Sequence, residues 1–155
     1  MLSFRVGFSW VGVVFLVMLF VPNLAWAKHK PQGYGQDGQA ESRLLLALER
    51  LGQATVTCLV LITADLDCPG GWLAAALGLM LLYEGFWLRY FKSEKTMQDF
   101  YSSFLGIPVA GASLPVAAVL LFGIHAKSPL LFAAGAVLGV GHIGIHLQHR
   151  QRLKR

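Results

Sequence analysis

His142, His146 and His149 stand at positions i, i+4 and i+7 near the end of the chain. In an α-helix that spacing puts all three on one face. Two imidazoles one turn apart can share a metal ion, and a carboxylate from another helix completes a two-histidine, one-carboxylate set. Glu84 is the expected carboxylate. A divalent metal, Zn²⁺ or Fe²⁺, is the cofactor such a set would take, with open positions for water or substrate. Glu49, Arg50, Arg89 and His149 are expected to support the cluster. The same residues carry two plainer readings. The histidines can hydrogen-bond across helices while Glu84 pairs with Arg89 or Arg50. Alternatively, Glu84 and the histidines can relay protons or ions, as ionisable groups inside membrane helices do.

Other patterns favour structure over chemistry. Gly139, Gly141 and Gly144 have the spacing of a dinucleotide-binding loop, but that loop belongs at a strand-to-helix turn. Here the glycines lie late in an apolar run, where small residues let helices approach closely. Gly106, Pro108, Gly111 and Pro115 crowd another run. They predict a kinked helix, of the kind whose freed carbonyls line substrate sites in transporters. Lys92 and Lys95 precede a short hydroxyl-rich stretch, Asp99 to Ser103, and suit contact with lipid headgroups. Cys58 and Cys68 have neither CxxC nor metal-ligand spacing and read as two free thiols. No HExxH, GxSxG or phosphate-binding-loop pattern occurs.

The elements that must position these residues are membrane helices. Of 155 residues, 55% are hydrophobic and only 14% charged. A soluble domain carries roughly a quarter charged residues. A bilayer core needs about 20 mostly apolar residues per helix. Five such runs are read, at about residues 6–24, 48–64, 72–90, 106–124 and 129–147. Residues 41–51 form a helical lead-in to the second run. The stretch around residues 65–71, with Asp65, Asp67, Pro69 and paired glycines, is a tight turn. Residues 96–105 are expected to form a short amphipathic helix in the interface. It opens on Thr96 and Asp99 in capping-box spacing and presents Met97, Phe100, Tyr101 and Phe104 on one face. Residues 148–155 form a basic tail. The expected fold is therefore a single all-α domain, an integral membrane bundle of five spans with one interfacial helix.

Charge gives the bundle a direction. With the C-terminus in the cytoplasm, every lysine and arginine except Arg5 and Lys127 falls on the cytoplasmic side. Such asymmetry predicts an outside N-terminus and a cytoplasmic C-terminus. Ala25, Trp26 and Ala27 match a signal-peptidase site. Cleavage there would reverse the remaining spans and violate that asymmetry, so the first span is expected to stay. The aromatics fit the same frame, with Trp26, Trp87, Tyr90 and Tyr101 assigned to the inner interface and Trp10 and Trp72 to the outer one. The net charge of +5 is thus a matter of topology, and no nucleic-acid partner is expected.

Three strings are similar to a family of small bacterial multi-pass inner-membrane proteins with no assigned activity. They are residues 82–92, around Glu84 and Trp87, residues 96–103, and residues 141–146. The resemblance implies an inner-membrane setting and no mechanism. The expected function is a small, non-enzymatic, transport-related or accessory subunit with a polar cluster in the cytoplasmic leaflet. Its partners would be the lipid bilayer and either further copies of itself or a membrane subunit. The alternatives are a metal-dependent membrane enzyme using Glu84, His142 and His146, and a structural or lipid-binding subunit.

Overall fold

A computed structural model describes residues 5–35, 41–65 and 70–154. Asp67, Cys68 and Pro69 of the expected turn, and Arg155 of the tail, lie outside the described residues. The chain is all α-helical, with no strand among the described residues. The helices are α1 (Trp10–Lys28), α2 (Arg43–Ile62), α3 (Gly71–Lys92), α4 (Met97–Phe100), α5 (Ala110–His125) and α6 (Pro129–Arg152). Four of them, α1, α2, α3 and α6, are long and apolar enough to cross a membrane. That is compatible with a multi-pass membrane protein in contact with lipid. Their outward surfaces agree, with Val14, Val17 and Leu24 on α1, Leu81 and Leu88 on α3, and Leu130 and Val140 on α6 all exposed.

α1 begins four residues later than the first apolar run suggests. Residues 5–9 are extended and pair with the end of α2, through Gly7 N to Ile62 O, Ser9 N to Leu61 O and Ala64 N to Arg5 O, each 2.9–3.0 Å. Ser9 then caps α1, its hydroxyl accepting from Gly12 N at 2.8 Å and donating to Asp65 Oδ1 at 2.6 Å. The Asp65 carboxylate also accepts from Trp10 N at 2.8 Å. An anion at a helix N-terminus meets both free N–H groups and the positive end of the dipole.

The lead-in and the second span are one unbroken helix, α2. α6 likewise runs through most of the expected tail, ending only at Arg152.

The expected interfacial helix over residues 96–105 is not confirmed, because only Met97–Phe100 is helical. The capping box is present, with Asp99 N donating to Thr96 Oγ1 and Thr96 N donating to Asp99 Oδ2. Arg89 stops the helix there. Its guanidinium donates to the Ser103 carbonyl at 3.0 Å, to the Asp99 carbonyl at 3.5 Å, and to the Ser102 hydroxyl. Phe104 to Ile107 then form a tight turn closed by hydrogen bonds in both directions, with Leu105 at φ 50 and Gly106 at φ 82. Two consecutive positive φ values define a type I′ turn. α5 consequently starts at Ala110 rather than near 106, and has 16 residues.

The five longer helices close a ring, in the order α1, α2, α6, α5, α3 and back to α1. Glycines set the close α2–α6 crossing. A Cβ on Gly52 of α2 would lie 2.5 Å from the Leu138 backbone of α6. One on Gly141 of α6 would lie 2.3 Å from Glu49 N of α2. Gly139 faces Val116 of α5 instead, so α6 uses its glycines on both neighbours. This is the close packing that the glycine spacing implies.

Aromatic side chains fill the end of the ring where α6 finishes, here called the tail end. Trp87 (3% exposed), Tyr90 (0%) and Tyr101 (3%) are buried inside the ring there, packed against protein rather than facing outward. Tyr90 donates its hydroxyl to the His29 carbonyl at 3.0 Å, so its polar group is satisfied without reaching water. Trp10 and Trp72, at the opposite end, are exposed.

Candidate functional site

α2 and α6 run antiparallel in a single register, set by the glycine contacts. That register brings Glu49 to His142, with Oε1 2.5 Å from Nδ1. Two turns nearer the tail end it brings Glu41 to His149, with Oε1 3.0 Å from Nε2. Between these pairs lies His146, 4.6 Å from His142 between ring centroids and 5.1 Å from Tyr101. Tyr101 stacks in turn on His149 at 5.1 Å. A continuous file therefore runs Glu49, His142, His146, Tyr101, His149, Glu41. His146 is 8% exposed, and its Nδ1 is buried without a hydrogen-bond partner.

The file borders a cavity of about 340 Å³. All five long helices line it: Asn23 and Trp26 from α1, Glu49 and Gln53 from α2, Tyr83 and Trp87 from α3, Pro115 and Val116 from α5, and Leu138, His142 and His146 from α6. Tyr34, Glu41, Phe100 and Tyr101 line its tail end. The opposite end is apolar, with Leu19, Val56 and Val119. The space exists because α1 is tied to α2 at the Asp65 end and packs lightly elsewhere, burying only Gly12, Phe15 and Pro22. Asn23 Nδ2 reaches across to the Tyr83 hydroxyl at 2.8 Å and is the main polar bridge from α1. Pro115 offers no N–H to the carbonyl of Gly111 one turn earlier, and both residues line the cavity. The Pro–Gly segment thus borders the site, as a loosened helix would. Ligand pockets commonly measure about 300–1,000 Å³ and combine apolar walls with a few convergent polar groups.

The residues expected to act together are only partly assembled. His142 and His146 line the cavity, and His149 joins the file rather than lying in a solvated tail. Glu84 does not line the cavity; its Oε1 is buried without a hydrogen-bond partner. The carboxylate delivered to His142 is Glu49. Among the described residues no group of three His, Cys, Asp or Glu side chains is arranged to hold a metal ion. Arg89 serves the α4 connector, and Arg50 faces outward. Lys92 is exposed and Lys95 is half-buried beside α4. Glu41, Tyr34 and Trp26 escaped the sequence reading as site residues. The available signal was the eight-residue step from Glu41 to Glu49, which roughly matches the seven-residue step from His142 to His149 on the facing helix.

Burial raises the Tyr34 hydroxyl above its ordinary pKa, and the Glu41 and Glu49 charges add to that shift. Tyr34 is therefore a neutral ring at physiological pH, standing beside two carboxylates.

Fold and site together define an all-α protein with four helices long enough to span a bilayer and one cavity whose polar groups gather at the tail end. No protein-family model, curated protein or solved structure matches the chain.

Proposed function

We infer that this is a small, non-enzymatic membrane protein, transport-related or accessory, that holds a small molecule in a cavity open toward the cytoplasm. In this reading α5 is a fifth, short span. The N-terminus lies outside and the tail end faces the cytoplasm of a bacterial inner membrane. The observation that carries it is the ring-enclosed cavity of about 340 Å³ with its polar groups confined to one end. The basic residues support the orientation, since α6 finishes on Arg150 and Arg152 while Asp65 stands at the other end. The unbroken run of α1 through Ala25 and Ala27, with Trp26 stacked on Phe100 at 5.1 Å, supports retention of the first span. Among the described residues no three His, Cys, Asp or Glu side chains are arranged to hold a metal ion, which favours this reading over the metal-dependent enzyme.

The test is thiol labelling from either side of sealed vesicles. Cys58 and Cys68 are replaced by serine, and Gln53→Cys is introduced at the cavity wall. A membrane-impermeant maleimide does not react within hydrocarbon, so labelling reports a water-connected space. Labelling from the side of the C-terminal tail is the expected result. Labelling only from the opposite side, or none, refutes a cytoplasm-facing cavity.

A further inference from the structure

We propose that the cavity is selective for an organic cation with an apolar body, such as a quaternary or protonated amine. This rests on the reading that the cavity is a ligand site, and deepens it by naming the ligand class. Four rings gather at the tail end of the cavity: Trp26, Tyr34, Phe100 and Tyr101. Trp26 lies 4.9 Å from Tyr34 and 5.1 Å from Phe100 between ring centroids, so these rings form one continuous aromatic wall. Cations are drawn to the faces of such rings, most strongly when water is excluded. Among the described residues the lining carries two carboxylates, Glu41 and Glu49, at the same end, and no lysine or arginine. The basic groups facing those carboxylates are the imidazoles of His149 and His142. The lining therefore offers two carboxylates, each shared with an imidazole.

The protein itself places an ammonium at this wall. Lys30 Nζ lies 5.5 Å from the Trp26 ring and 5.7 Å from the Tyr34 ring. Lys30 is exposed and comes from the stretch after α1, outside the cavity lining. Its ammonium occupies the outer side of the rings that a ligand cation would meet from within. A ligand's apolar part then extends toward Leu19, Val119 and Leu138, where the wall carries no charge. Lys30 and the ligand draw on the same two rings and their like charges repel, so removing Lys30 is expected to strengthen binding.

The experiment uses the full chain purified in an uncharged maltoside detergent, with equilibrium dialysis of three probes that share one ring. They are benzyltrimethylammonium, benzyl alcohol and benzoate. Saturable binding of the ammonium, about tenfold tighter than either other probe, is expected. Paired Glu41→Gln and Glu49→Gln should weaken the ammonium about tenfold while leaving benzyl alcohol unchanged. Lys30→Met, at an exposed position where folding is not at stake, should tighten the ammonium roughly threefold. Equal binding of alcohol and ammonium, preference for benzoate, or weaker ammonium binding in Lys30→Met each overturns cation selectivity. Failure of all three probes to bind overturns it too. In every such case, labelling of Gln53→Cys from the tail side would leave the cavity reading standing.

Discussion

At the scale of single residues, the backbone records where the chain resists its own sequence. Leu105 sits at φ 50 in a type I′ turn and is 72% exposed, so it has strain and little packing. Asn before Gly is the preferred pair for this turn. Leu105→Asn is expected to raise the thermal midpoint in detergent, by a gain of about 1 kcal/mol. A lower midpoint would mean that Leu105 is held by contacts outside the chain. Asp99 offers a second check. Thr96 N–H, donating to its carboxylate, holds the carboxyl below its ordinary pKa, with the Thr96 hydroxyl, Ser93 and Arg89 acting in the same direction against partial burial. A depressed carboxyl contributes stability that is complete above the unfolded pKa and is lost as pH falls through the folded one. Acidification below about pH 4 should therefore loosen the α4 connector. Asp99→Ala should remove that acid-dependent step, measured by hydrogen exchange at residues 97–103. A step that persists in the variant assigns the loosening elsewhere.

At the scale of elements, association inside a membrane lacks the hydrophobic drive that works in water, and close packing of small residues takes its place. The α2–α6 crossing depends on two positions where no Cβ fits. Gly141→Ala would place a methyl 2.3 Å from Glu49 N and 2.7 Å from the Leu45 carbonyl, both backbone atoms that cannot rotate away. Overpacking of this kind costs typically 1–3 kcal/mol. Here it also moves Glu49 away from His142, so both folded yield and ligand binding should fall. Gly78→Ala is the matched control. A Cβ there meets nothing within 4 Å. In mid-helix the change should stabilise α3 by up to about 1 kcal/mol. Equal thermal midpoints for the two variants would show that the crossing tolerates separation.

At the scale of the whole molecule, the ring of helices is tight everywhere except along α1. A void retained in an otherwise packed bundle is a place where stability is exchanged for binding. Leu19 lines the cavity from α1 and is only partly buried. Leu19→Phe should fill part of it, raising the thermal midpoint slightly and weakening ammonium binding. If the midpoint rises with binding unchanged, the ligand sits elsewhere.

Helical class, the membrane-compatible runs and the bounds of α3 were legible in the sequence because each depends on local composition. Apolar length and turn residues act over one run of chain and need no partner. The capping box at Thr96 and Asp99 was legible for the same reason. The length of α4 was not, because the Arg89 side chain from α3 binds the carbonyls of Asp99 and Ser103 and ties the segment after Phe100 to α3. The start of α1 was hidden likewise, since its cap includes Asp65, more than fifty residues away. The histidine face was also readable, His142, His146 and His149 being spaced by one helix. Which carboxylate meets that face was decided by tertiary structure alone. Glu84 was expected at the right depth, yet depth does not fix rotation about a helix axis. Two glycines that admit no side chain set the α2–α6 register, which delivered Glu49 to His142, while the chain just before α2 brought Glu41 to His149.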